Sequence, residues 1–153
     1  IRDRSNSTPD LGERVKKVGV FVNANLEYIK ECIEAHKLNA VQLHGNESPE
    51  QSGELGEIDV EVIKAFTVQK KFDFSKILVY ESVCDYFLFD TKGELPGGNG
   101  LHFNWNLLKD YPSKKPFFLS GGIGPNDCVA IASIIKLNLP LYSFSIYEGN
   151  SEQ

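Results

Sequence analysis

Short runs of apolar, β-branched and aromatic residues recur along this chain roughly every 20–25 residues, with helical periodicity between them, and that alternation argues for a parallel sheet with crossover helices. Val18–Val22, Ala40–Leu43, Val60–Phe66, Tyr86–Phe89, Phe117–Leu119 and Leu141–Ile146 read as six strands. The stretch Ile77–Val83 is less clear. After Asn25, a natural cap, Leu26, Ile29, Cys32 and Ile33 recur at helical spacing up to His36. Ser48 followed by Pro49 and Glu50 opens another helix, Asn104–Lys109 a short one, and Pro125-Asn126-Asp127 one more that carries Val129, Ile131, Ala132, Ile134 and Ile135. Periodicity alone leaves open whether the sheet closes into a barrel or is an open, doubly wound one.

Nothing in the rhythm marks a linker, so residues 1–153 read as a single domain. A net charge of −5 and a pI near 5.2 supply no basic field for nucleic acid or an anionic membrane surface. An anionic ligand would therefore need a local site built from backbone N–H groups. Cys32, Cys84 and Cys128 are an odd number without C-x-x-C spacing, which reads as free thiols of a reducing compartment. No run of 18 apolar residues occurs, and the expected location is cytoplasmic. The chain holds no methionine, not even an initiator, so either trimmed ends or segments missing from the sequence are expected.

In either architecture the functional groups gather beyond the C-terminal ends of the strands. Polar residues do so here repeatedly: Asn23 after the first strand, Gln42-Leu43-His44-Gly45 at the second, Lys64 in the third, Asp90-Thr91-Lys92 after YFLF, and Ser120-Gly121-Gly122 after FFL. Asp90 is the sharpest of them. A partly desolvated carboxyl at a strand end is suited to general-acid work, although the same residue could cap a helix or pair with Lys92. Gly97–Gly100 and Gly121–Gly124 are glycine-rich loops, each ahead of a helix, where exposed amides favour an anion. Neither matches a dinucleotide fingerprint or a P-loop. His44 is equally consistent with substrate contact and with a satisfied structural role. The cysteines read as small apolar fillers, Trp105 as helix packing, and no residues have metal-ligand spacing.

Taken together, VGVFVN at Val18–Asn23, VQLHG at Val41–Gly45, LFDTKG at Leu88–Gly93, GGNG followed by FNW at Phe103–Trp105, and LSGG at Leu119–Gly122 resemble the phosphoribosylanthranilate isomerases over about residues 15–135. The resemblance implies a (β/α)₈ barrel in which the six legible units are strands three to eight and the first two are missing. It implies isomerisation of N-(5-phosphoribosyl)anthranilate to 1-(2-carboxyphenylamino)-1-deoxyribulose 5-phosphate, an Amadori rearrangement in tryptophan biosynthesis that uses no cofactor or metal. Asp90 would be the general acid. The family's general base is a cysteine of an N-terminal K-x-C-G strand, which this sequence lacks, and Ser145 stands about where the family has an aspartate. Phosphate would be held by backbone at Gly98, Gly100, Gly121 and Gly122, with His44 and Lys64 near the site mouth. The expected partner is a small phosphorylated molecule, not nucleic acid or membrane, and the expected assembly a monomer or homodimer. The alternatives are another phosphate-binding barrel, similar to indole-glycerol-phosphate synthase or ribulose-phosphate epimerase, and a truncated form that binds phosphate ligands without catalysis.

Overall fold

A computed structural model of the chain describes residues 15–69, 71–91, 105–121, 123 and 127–144. In chain order these form β1 (Val18–Phe21), α1 (Leu26–His36), β2 (Ala40–Leu43), α2 (Pro49–Gly56), β3 (Glu61–Val68), α3 (Ser75–Leu78), β4 (Tyr86–Thr91), a 3-10 helix (Trp105–Asp110), β5 (Phe117–Ser120), α4 (Cys128–Lys136) and β6 (Leu141–Phe144). The six strands make one parallel sheet in the order β1-β2-β3-β4-β5-β6.

Each strand alternates between two environments, as the pleat requires. Phe21, Val41, Leu43, Val62, Phe87, Phe89, Phe117 and Leu119 form one buried cluster with Ile29, Leu55, Ile77, Leu108, Ile131 and Ile134 of the helices. The other parity, Ala40, Ile63, Ala65 and Leu88 with Tyr86 and Phe118, packs in a separate cluster to which no helix contributes. Helices therefore cover one face only, and strand order follows sequence. A doubly wound sheet would reverse its order at an inner strand and carry helices on both faces. That option is excluded for the described residues. On the bare face of the edge strand β1, Val18 and Val20 remain 44% and 58% exposed.

Local chemistry explains the element ends. Asn25 caps α1 by accepting from Tyr28 N at 2.8 Å, and Lys37 closes it in the left-handed region at φ 50°. Ser48 caps α2 through Gln51 N, with Pro49 at the first helical position. Most boundaries shift by a residue or two from the sequence expectation, and the main differences are these. Strand β3 runs on to Val68, β4 takes in Asp90 and Thr91, and Ile77–Val83 is the end of α3 followed by turns. Helix α4 starts at Cys128, while Pro125 and Asn126, expected to open it, lie outside the described residues.

Candidate active site

Because all strands are parallel, their C-terminal ends share one edge of the sheet, and the polar residues found there converge. His44 and Asp90, 46 positions apart in sequence, meet at that edge with His44 Nε2 3.3 Å from Asp90 Oδ2. Both side chains are partly buried, 23% and 17% exposed, so each stays open to a ligand. Asp90 continues the bare-face parity of Tyr86 and Leu88, and Ser120 stands opposite it on β5. Gly121 follows at φ 83°, a conformation that glycine adopts without strain.

Beneath the β2–α2 loop lies a buried ion pair. Lys64 Nζ donates to Glu47 Oε2 at 2.9 Å, and to the carbonyls of Leu43 and Gly45 at 3.2 and 2.8 Å. The two side chains are 3% and 0% exposed. Glu47 also accepts from Asn23 N at 2.8 Å and from Gly45 N at 2.9 Å. Burial pushes its carboxyl upward, but the hydrogen bonds from Lys64 and from the backbone amides outweigh that and hold it below the usual carboxylate range. Tyr80 completes the knot, donating through its hydroxyl to Glu47 O at 2.8 Å while burial raises its own pKa. Lys64 also lies 5.7 Å from the centre of the Tyr80 ring and 5.8 Å from that of Phe66.

Asn23 joins this knot to β1. It adopts φ 52°, and its Oδ1 accepts from Asn46 N at 2.7 Å. Gly45 packs so closely on it that a Cβ there would fall 2.4 Å from Asn23 Oδ1 and 2.7 Å from Asn23 N. A cleft of about 740 Å³ opens above these groups, lined among others by Asn23, His44, Thr67, Phe72, Lys76 and Tyr80. A hollow of about 700 Å³ lies at the opposite edge, lined by Lys16, Glu57, Asp59, Glu61 and Asp85 among others. There Lys16 binds Glu61 at 2.7 Å, and Asp85 accepts from Val62 N at 2.7 Å.

The structure therefore brings together two of the residues singled out in the sequence, His44 and Asp90, with Gly121 at the same edge. Gly98, Gly100 and Gly122 lie outside the described residues. Lys64, expected near the site mouth, lines the same cleft as His44, with its ammonium turned into the buried pair with Glu47. Glu47 carried no sequence signal, since a glutamate in a polar loop ordinarily faces solvent. Of the cysteines, Cys84 is buried, with its thiol pushed up to about 11 by desolvation, whereas Cys128 is exposed rather than a core filler. Among the described residues no group of three potential metal ligands is found, and no helix is long and apolar enough to cross a membrane.

Residues 5–143 match the family model described as N-(5'phosphoribosyl)anthranilate (PRA) isomerase. The N-(5'-phosphoribosyl)anthranilate isomerase of Parabacteroides distasonis is 50% identical over 116 residues, which are 76% of this chain and 52% of that relative. The chain thus spans about half the length of that curated relative. The crystal structure of phosphoribosyl anthranilate isomerase from Thermotoga maritima superposes with a TM-score of 0.75 at 31% identity, covering 94% of this chain and 67% of that one. A second isomerase structure, in complex with reduced 1-(o-carboxyphenylamino)-1-deoxyribulose 5-phosphate, superposes with a TM-score of 0.70 at 28% identity, covering 94% of this chain and 66% of that one.

Proposed function

Since the chain belongs to the N-(5'-phosphoribosyl)anthranilate isomerase family, we propose that it converts N-(5'-phosphoribosyl)anthranilate to 1-(2-carboxyphenylamino)-1-deoxyribulose 5-phosphate, with Asp90 as general acid. The observation that carries this reading is the approach of His44 Nε2 to Asp90 Oδ2, at 3.3 Å on the C-terminal edge of a parallel sheet. In this reading residues 1–153 belong to one (β/α)₈ barrel domain, in which β1 to β6 are strands three to eight. The bare apolar face and the exposed Val18 and Val20 fit a sheet that curls round to meet two further strands.

Asp90 would protonate the ribose ring oxygen and open the ring to a Schiff base. His44, 3.3 Å from the carboxyl, would fix its direction. The general base would be a cysteine of a strand that this sequence does not include. Phosphate would sit on backbone amides of Gly98, Gly100, Gly121 and Gly122, in the segments that follow β4 and β5 in sequence, with Gly121 and Gly122 after the seventh barrel strand, where barrels of this kind hold such groups. The anthranilate nitrogen can serve as electron sink, so the chemistry needs no cofactor. We place the protein in the cytoplasm as a monomer or homodimer in tryptophan biosynthesis. A synthase-like reading would need Lys64 as a reacting amine at a strand end, and its burial against Glu47 speaks against that.

The test is turnover by the intact protein, followed as loss of the substrate's anthranilate fluorescence. Asp90→Asn should lower kcat about 10²–10⁴-fold, the range for a general acid, while substrate still binds. A fully active Asp90→Asn variant removes the acid from Asp90.

A further inference from the structure

The position of His44 is set by its backbone neighbours. Its own N–H donates to Phe21 O at 2.8 Å, tying it to β1. The carbonyls on either side of it, Leu43 O and Gly45 O, both accept from Lys64 Nζ. The next amide, Gly45 N, donates to Glu47 Oε2, the oxygen that also receives Lys64. An ammonium has three protons. Here all three are directed at residues 43, 45 and 47, which bracket the imidazole-bearing residue.

As a device for stability alone this arrangement is poor. Taking an ammonium and a carboxylate out of water costs several kcal/mol each before their attraction recovers it, and an apolar pair of similar volume does as well or better. Lys64 sits among Phe66, Tyr80 and the helix-covered cluster, where a methionine would pack. What the charged pair adds is direction: three donors from one point hold the 43–45 backbone at fixed distances from β3. The reacting groups lie on the other face, with His44 Nε2 3.3 Å from Asp90 Oδ2. A displacement of about 1 Å in such a pair is enough to lower turnover on the order of 10²-fold.

We propose that Lys64 is a positioning residue, whose buried ammonium fixes where His44 stands against Asp90 and so acts on turnover through His44 without touching substrate. The proposal rests on the isomerase reading for its kinetic part only. The intact protein is compared with Lys64→Met, with the charge-neutral pair Lys64→Met/Glu47→Gln, which keeps an acceptor for Asn23 N and Gly45 N, and with both in a His44→Asn background. The neutral pair should fold, lower kcat about 10²-fold and leave KM within about threefold. In the His44→Asn background the same pair should change kcat less than about twofold, because the route is already cut. Without substrate, the His44 ring resonances in NMR spectra should move in the neutral pair, and Lys64→Arg should partly restore them. Losses that multiply independently of His44, or ring resonances that stay in place, overturn the proposal. If the unmodified protein fails to turn over the substrate, the isomerase reading falls, and the ring resonances alone decide the role of Lys64.

Discussion

Removing the charges of Lys64 and Glu47 together should destabilise the protein far less than the two single losses added. In Lys64→Met the carboxylate of Glu47 stays buried with a 0% exposed side chain, and losing one partner of a buried pair costs about 3–5 kcal/mol. Glu47 keeps its bonds from Asn23 N and Gly45 N, so the low end, about 3 kcal/mol, is expected. Glu47→Gln retains an acceptor for those amides and leaves Lys64 with two carbonyls. Its cost is close to that of one charge-assisted hydrogen bond, about 2 kcal/mol. The double variant has no stranded charge and should cost no more than about 2 kcal/mol, a coupling near 3 kcal/mol. Urea melts of the four proteins at neutral pH measure it. Single costs that add to within about 0.5 kcal/mol would show that the pair does not act as a unit.

The same melts taken towards acid give a second reading. The folded pKa of Glu47 lies below its ordinary value of 4.5. Its stabilisation is therefore complete above that ordinary value and is lost as the pH falls through the folded one. Glu47→Gln should flatten this acid limb and leave the neutral plateau merely lower. An acid limb of unchanged steepness would assign it to other carboxylates.

Three further outcomes follow from the packing. Phe89 is fully buried and rings it at 5.4–6.2 Å are Phe66, Phe72, Phe74, Tyr111 and Phe117, so Phe89→Ala should cost about 4 kcal/mol in urea melts. Gly45→Ala should cost about 1–3 kcal/mol, because the added methyl meets the backbone N of Asn23 as well as its movable side chain; a neutral effect would mean that the β2–α2 loop yields freely. At neutral pH Cys128 should react promptly with a thiol reagent, while Cys84, buried and with its pKa raised to about 11, should react only as the protein unfolds.

Most strands could be read from the chain because each is a compact apolar run flanked by loop residues, and the helix starts because Asn25 and Ser48 are strong caps. The place of Asp90 could be read too, as a carboxyl carried to a strand end by four apolar residues. The burial of Lys64 could not. Its place in the third strand is correct, but which face it takes depends on the parity that Val62, Phe66 and Val68 set by joining the helix-covered cluster. Glu47 was illegible for a related reason. A loop carboxylate becomes a buried one only through a lysine 17 positions away, and no local pattern carries that.

The register shows why the bare face can bring His44 and Asp90 together at all. Leu43 pairs with Lys64 and Thr67 with Asp90, so His44 stands beside Ala65, while Asp90 lies on the far side of β3 and one pleat further on. Two strand spacings are about 9.5 Å, more than an imidazole and a carboxylate span without leaning toward one another across the strand between them. Of the two β3 residues along that path, Thr67 pairs with Asp90 itself, and the one beside His44 is alanine, 4% exposed, which offers only a methyl group. A Leu or Phe there would fill the space over which His44 reaches, and the 3.3 Å contact would be replaced by packing. The pairing is therefore a property of three strands at once: the loop on β2 that holds the histidine, the small residue on β3 that lets it lean, and the long apolar run on β4 that carries the acid to the edge.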